Sequence, residues 1–311
     1  MPELPDIEDY LAALRPRMVG RVLVGVRVRG FSLLKTFDPP LEALHGRTIT
    51  SMSRLGKRIV WHFEDAGDGG GDDADGGDEP LHLVLHLMVA GRLRWKDTAG
   101  APIPGKVGMA AFDLDDATLL LTEAGTKKRA SLHVERGAEG LARHDRGGIE
   151  PLDADLAAFT EALTRENRTL KRGLTDPRVF HGIGNAFSDE ILHAAGLSPV
   201  RRTQQLTEEE LARLHAAVQG TLTAWVARLR EQTGDGFPTE VTAFRPDFAV
   251  HGKYGEPCPV CGTDVQRIRY ADNETNYCPR CQTDGKLLAD RSLSRLLKDD
   301  WPRTVDELEG A

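Results

Sequence analysis

The sequence predicts a multi-domain α+β protein: an N-terminal β-sandwich or barrel led by a helix, a helical middle, and a C-terminal ribbon built on four cysteines. Three observations predict it. Apolar residues alternate with period two through much of the first 136 residues. Beyond about residue 150 the spacing turns helical. Two C-x2-C pairs then stand sixteen residues apart. A length of 311 residues suits two or three domains.

The chain opens Met1-Pro2-Glu3-Leu4-Pro5. If Met1 is removed, Pro2 carries a free secondary amine with the Glu3 carboxylate next to it. An α-amino group titrates near ~8, against ~10.4 for lysine, so about a tenth is neutral at pH 7. A neutral amine can attack an electrophilic carbon and form an iminium. Glu3 stands where it could move protons for that substrate. Pro5 suits the first position of a helix, and Asp6, Glu8 and Asp9 suit its positive end. Pro16 is expected to end the regular helix near Arg15.

Strands are expected over 22–28, 47–52, 57–63, 81–87, 91–95, 110–114, 118–122 and 130–134. Ile59, Trp61 and Phe63 should share one face. His82 and His86 stand four apart, a zinc spacing on a helix, but the alternation around them makes them sheet residues. Residues 65–80 form a Gly/Asp-rich insert expected to be disordered.

A glycine- and charge-rich linker follows over 137–152. Leu156, Phe159 and Leu163 then suggest one helix face, and 170–174 a second, short helix. His181-Gly182-Ile183-Gly184-Asn185 precedes Asp189, Glu190 and an apolar pair. Gly182 and Gly184 permit close backbone approach, and Asn185 is a favoured N-cap. Together they would present N–H groups to a phosphate. The spacing lacks the preceding strand and G-x-G-x-x-G of a dinucleotide site, so no nucleotide cofactor is expected. Thr207 and Glu210 fit a capping box for a long helix running to about residue 230.

Cys258, Cys261, Cys278 and Cys281 are the most specific feature. Two matched pairs at ribbon spacing predict one closed, tetrahedral, structural zinc site with no open catalytic position. Arg267, Arg269 and Arg280 lie in or beside this ribbon and could meet phosphate.

The net charge of −8 speaks at first against a nucleic-acid partner. Its distribution does not. Residues 65–79 carry seven acids and no Lys or Arg, and 299–311 carry a net −4. Removing both from −8 leaves +3. No apolar run is long enough to span a bilayer, and no signal peptide is visible. A cytoplasmic protein, nucleoid-associated when acting, is the expectation.

In this order, the parts resemble the formamidopyrimidine-DNA glycosylase/endonuclease VIII family, as a divergent bacterial-type member. The likeness rests on Pro2-Glu3-Leu4-Pro5-Asp6, Gly56-Lys57, the Gly182–Asn185 turn through Asp189-Glu190, and Gly255-Glu256-Pro257-Cys258. It implies a β-sandwich catalytic domain over 1–136, a helix-two-turns-helix DNA-binding domain over 153–235, a zinc ribbon over 236–285 and an extension over 286–311. It also implies a monomer that flips damaged bases from DNA, excises them and cuts the strand by β/δ-elimination. By the resemblance, Pro2 is the Schiff-base nucleophile and Glu3 the proton donor. Lys57 is a proton donor and phosphate contact, and Glu190 a cleft carboxylate. Asn185, Gly182, Gly184, Lys127, Lys128, Arg129 and Arg269 would meet DNA.

Departures bear on substrate. Val89 stands where the family's intercalating Met is expected, with Met88 one residue off. The loop Gly125-Thr126-Lys127-Lys128-Arg129 lacks the family's Arg-Phe pair. Residues 234–250 are short and unlike a purine-capping loop, and Asn273 replaces a hairpin-tip arginine. Lesions in single strands, bubbles or abasic DNA would suit such a chain. An abasic-site lyase with little base excision and a non-catalytic lesion-binding protein are the alternatives. A helix-like stretch over 286–298 is expected to pack on the body.

Overall fold

Alternation in the N-terminal part becomes two four-stranded antiparallel sheets. The structure, a computed structural model, describes residues 1–30, 32–64, 79–270, 273–289 and 302–309. It divides into two compact units, Met1–Arg146 with Val226–Thr242, and Gly147–Trp225 with Ala243–Ala311.

In the first unit, one sheet has the order β1 (Gly25–Val28), β6 (Gly108–Asp113), β7 (Thr118–Glu123), β5 (Gly91–Lys96). The other runs β2 (Ile49–Leu55), β3 (Arg58–Phe63), β4 (Leu81–His86), β8 (Ser131–Arg136). Ile59, Trp61 and Phe63 are buried in one core, as their spacing predicts. Trp61 of β3 packs on Phe112 of β6 with ring centroids 4.7 Å apart, so the sheets close on each other as a sandwich. Each such buried side chain contributes roughly 1.5–3 kcal/mol. The first strand is shorter than predicted, because Val22 makes only an isolated bridge to Thr48.

Helix α1 (Leu4–Met18) sends Ile7, Tyr10, Leu11, Leu14 and Met18 into the same core. Contrary to expectation, Pro16 lies inside the helix. Leu14 and Met18 are fully buried, and the Val19 N–H reaches the Arg15 carbonyl at 3.1 Å. Packing on both sides of Pro16 thus outweighs the one backbone bond it removes.

His82 and His86 lie in β4, as sheet residues. Part of the expected linker is helical: α2 (Gly137–Ala142) packs on β8 and β4. Gly137 starts it at φ +63°, donating its N–H to the Pro80 carbonyl at 2.9 Å. The acidic insert falls over 65–78 outside the described residues.

The second unit holds α3 (Leu156–Thr164), α4 (Leu170–Thr175), α5 (Asn185–Ala194) and most of α6 (Glu208–Thr233). Phe159 and Leu163 are buried, but Leu156 is exposed, so the predicted α3 face begins at Phe159. The Thr207–Glu210 capping box forms as predicted, with Thr207 N–H to Glu210 Oε2 at 2.9 Å and Glu210 N–H to Thr207 Oγ1 at 3.2 Å. Phe187, Trp225 and Phe248 meet edge to face at 4.8–5.9 Å and fix the backbone around Phe248.

The ribbon is a hairpin of β9 (Gln266–Arg269) and β10 (Glu274–Tyr277), followed by α7 (Pro279–Thr283). The expected helix over 286–298 does not begin at its predicted start. Lys286 instead bridges Thr304, and Leu288 N–H bonds the Tyr277 hydroxyl at 2.7 Å. Residues 290–298 lie outside the described residues. Among the described residues, no helix is long and apolar enough to cross a membrane.

Candidate functional site

The N-terminal pentapeptide is fixed by its own helix. Pro2 and Glu3 are buried. Glu3 is the N-cap of α1 and forms a reciprocal capping box with Asp6. Glu3 N–H donates to Asp6 Oδ2 at 2.8 Å, and the Glu3 carboxylate accepts the Asp6 N–H. Two donors at the helix start are thereby satisfied and the terminus is held in one orientation.

Burial pushes the Met1 α-amine below its ordinary value. Glu3 and Asp6 pull it up; Arg92 and Lys57 push it down further. Two carboxylates and two cations thus act on the terminus, and the balance, dominated by burial, lowers the basicity of the Met1 amine.

Lys57 reaches this region from the two-residue β2–β3 turn. Leu55 pairs with Arg58, and Gly56 has φ +59°. A positive φ at the first central residue is the type II′ requirement, which glycine meets without strain. Arg92 is anchored by the Val241, Val89 and Gly91 carbonyls at 2.7, 3.1 and 2.7 Å. The sequence reading missed Arg92, since a lone arginine in an alternating strand carries no signal.

Two loops of the same unit hold the remaining candidates. Met88 adopts φ +54°, unusual for a non-glycine residue, and Val89 beside it is 54% exposed. Lys127, Lys128 and Arg129 ride on a loop gripped by buried Glu123. Its carboxylate accepts Arg129 N–H at 2.9 and 3.0 Å and Ala130 N–H at 3.2 Å. Lys128 Nζ also donates to the Glu123 carbonyl. Lys127 and Arg129 remain exposed.

In the second unit Gly182 takes φ +79°, where a side chain would be strained. The N-cap of α5 is Gly184, and Asn185 is the first helical residue. The expected Asn185 cap is thus displaced by one position. Its side chain instead donates to the Glu274 carbonyl of the ribbon hairpin at 3.0 Å. Lys171 Nζ donates to the Asn185 carbonyl at 2.6 Å and to Asp189 Oδ1 at 2.5 Å. His251 Nδ1 meets Asp189 Oδ2 at 2.7 Å.

Glu190 has partners a sequence cannot reveal. It is 6% exposed. Its oxygens accept the N–H groups of Ala249 at 2.7 Å, Val250 at 3.0 Å and His251 at 2.9 Å. Burial raises its carboxyl while these bonds oppose the shift. In this geometry Glu190 clips the backbone of residues 249–251. Glu190→Ala leaves three N–H groups unpaired, two of them buried and that of Ala249 half-buried, at about 1 kcal/mol each. An unfolding free energy lower by roughly 3 kcal/mol is expected in urea titration. A group serving only to carry protons would leave that stability unchanged.

The ribbon places Cys258 Sγ 3.9 Å from Cys281 Sγ, and Cys261 Sγ 3.3 Å from Cys278 Sγ. All four sulfurs lie within 4.8 Å of one another. Tetrahedral zinc with Zn–S of about 2.3 Å requires edges of about 3.8 Å, so the donor set fits. His193 Nε2 lies 3.3 Å from Cys258 Sγ, a partner outside the ligand set that orients the thiolate. Arg269 stands opposite Glu274 in the hairpin register, and Arg267 lies 4.2 Å over the Tyr254 ring.

Pro2, Glu3 and Lys57 thus share the first unit with Lys127, Lys128 and Arg129. Gly182, Gly184, Asn185, Glu190, Arg269 and the cysteines share the second.

Three family profiles match the chain. They are the formamidopyrimidine-DNA glycosylase N-terminal domain over 1–129, the H2TH domain of the same enzymes over 148–235, and the zinc finger found in FPG and IleRS over 255–283. The formamidopyrimidine-DNA glycosylase of Chloroflexus aggregans is 31% identical over 290 residues, covering 91% of this chain and 98% of that protein. An uncharacterized formamidopyrimidine-DNA glycosylase-like protein of Mycobacterium tuberculosis is 41% identical over 151 residues, 49% of this chain and 94% of its own. Among solved structures, the Lactococcus lactis Fpg in complex with abasic-site DNA aligns with a TM-score of 0.74 at 26% identity. It covers 90% of this chain and 99% of that one. The ribbon cysteines accordingly hold one structural zinc. With its three domains matched in order and its relatives aligned almost end to end, the chain belongs to the formamidopyrimidine-DNA glycosylase family.

Proposed function

We propose that this protein is a base-excision repair enzyme, a bifunctional DNA glycosylase and abasic-site lyase acting on flipped, oxidised bases through a free Pro2 amine. The observation that carries the reading is the ordered terminus: Pro2 and Glu3 are buried at the start of α1, and Arg92 and Lys57 both act electrostatically on the α-amine of Met1 beside them. The family's enzymes are named for this activity, and the Lactococcus lactis relative is seen with abasic-site DNA.

The chemistry follows from the groups present. The Pro2 lone pair forms a bond to the sugar C1′, and the C1′–base bond breaks, the base leaving with a proton. Glu3, buried beside the amine, delivers a proton as the sugar ring opens to the iminium. The iminium acidifies the C2′ hydrogen. Its loss expels the 3′ phosphate, and a second elimination expels the 5′ phosphate. Lys57 and Arg92 supply positive charge near the phosphates. Arg129 and Lys127 meet the backbone from an exposed loop, and Gly182, Gly184 and Asn185 offer backbone N–H groups at the α5 start. Zinc takes no part in these steps; four thiolates leave it no open position.

Glu3→Gln keeps size but removes the proton. Single-turnover excision of an oxidised base is expected to fall by about 10²–10⁴. Cleavage of a preformed abasic site, whose sugar opens to the aldehyde in water without Glu3 and has no base to lose, should fall less. Equal losses on both substrates would contradict the assignment of Glu3 to the excision step.

The wedge differs from that of the family. Val89 is exposed at a tip, and the 125–129 loop offers cations but no ring. A valine stacks poorly in the gap left by an extruded base, so duplex flipping is weakly supported. One lesion presented in single-stranded and duplex DNA should be excised faster from the single strand. A strong duplex preference would remove this reading. The enzyme acts as a monomer in the cytoplasm, with damaged DNA as its partner and no nucleotide cofactor.

A further inference from the structure

Outside the residues used above, the outer face of the β2-β3-β4-β8 sheet gathers histidines. His62, His82, His86 and His133 all project from it, and His144 joins them from beyond α2. We propose that His133, Glu135 and His144 form a second, exchangeable binding site for a first-row divalent cation, of which zinc is the best fit. The ribbon's structural zinc is separate.

The fold builds this site from three devices. Strand alternation puts His133 and Glu135, two apart on β8, on the same face. Gly140 of α2 lets the helix approach: a Cβ there would meet the Glu135 Cβ at 3.0 Å and Oε2 at 3.2 Å. The turn after α2, closed by His144 N–H to the Leu141 carbonyl at 2.9 Å, then delivers the third donor.

His144 Nε2 lies 2.7 Å from Glu135 Oε1, and His133 Nδ1 lies 3.8 Å from the same oxygen. All three donor atoms fall within 4.8 Å of one another. Zinc with N and O ligands at about 2.0–2.1 Å needs tetrahedral edges of about 3.3 Å. One measured edge is shorter and one longer, each by about half an ångström, so small rotations of two imidazoles suffice. Two imidazoles and one carboxylate form the donor set of open zinc sites, with a fourth position for water. Glu135 and His144 are at least nine-tenths buried, while His133 is 24% exposed and provides the way in.

Charge sets the affinity. Arg58 and Lys35 both act electrostatically on His133. They oppose a cation, and the site has one anionic ligand against the ribbon's four thiolates. The ribbon therefore keeps its zinc under conditions that strip the second site.

The test uses the full-length protein and zinc itself. The protein is saturated with zinc, passed through a desalting column and measured by elemental analysis, then dialysed against a weak chelator and measured again. Two zinc per chain are expected before chelation and one after it. His133→Ala and His144→Ala should each hold one throughout. His133→Ala, at the more exposed position, keeps the test valid if the His144 variant misfolds. Cobalt substitution distinguishes the sites, because only the ribbon gives a thiolate charge-transfer band. A single zinc in the saturated native protein, or two in both variants, would overturn the proposal.

Discussion

An N-terminal extension that locks the Pro2 nitrogen into a peptide bond is expected to reduce base excision and abasic-site cleavage together, by at least about a thousandfold. An amide nitrogen has no available lone pair, so no iminium can form. DNA affinity should persist, since Lys127, Arg129 and the Gly182–Asn185 turn are untouched. The free protein should also show the lowered basicity of its terminus. Burial, then Arg92 and Lys57, lower the basicity of the Met1 α-amine against the pull of Glu3 and Asp6, and the Pro2 amine freed by removal of Met1 is expected to meet the same groups. The rate of iminium formation should therefore rise with pH to a plateau whose midpoint lies below the ordinary α-amino value of about 8. A midpoint above that value, or activity surviving the extension, would move the nucleophile elsewhere in the chain.

Zinc removal has the second largest expected effect. Structural zinc contributes apparent binding free energies of about 10–16 kcal/mol, comparable with the whole stability of a domain. The ribbon's own apolar support is small, a cluster of Val250, Val265 and the cysteines themselves. Chelation by a strong ligand, or Cys278→Ala, should therefore unfold the hairpin. Two contacts to the helical part would go with it, Asn185 to the Glu274 carbonyl and Gln282 to the Leu197 carbonyl. DNA affinity should fall at least about tenfold at moderate salt. If Arg267 and Arg269 both meet phosphate, the slope of log K against log salt should fall by about two. Limited proteolysis would report the hairpin, and salt-titrated binding the affinity. An unchanged salt slope in the zinc-free protein would remove the ribbon from the DNA contact.

Local rules made much of this structure legible in advance. Cysteine spacing alone specifies the ribbon, because two tight knuckles have few other uses. Strand alternation placed Ile59, Trp61 and Phe63 correctly, because the sandwich buries one face of each strand. Lys57, expected as the first residue of a strand over 57–63, lies instead in the β2–β3 turn that Gly56 opens at φ +59°. Long-range effects defeated the reading. Pro16 failed to stop α1 because Leu14 and Met18 on either side are buried. Asn185 lost its cap position to Gly184 because its side chain is taken by a carbonyl 89 residues away. The backbone partners of Glu190 were invisible because its three N–H donors lie about sixty residues downstream. Arg92, Glu123 and His193 gave no signal, since each matters through a neighbour distant in sequence.

Borohydride trapping on DNA with a single abasic site tests the central claim most directly. Borohydride reduces an iminium to a permanent amine link between protein and sugar. The account predicts a covalent adduct with the free-terminus protein, mapped by mass spectrometry of the digested complex to the Pro2 peptide. It predicts none with the extended terminus. An adduct on any lysine, Lys57 included, or no adduct while DNA binding is intact, would contradict it.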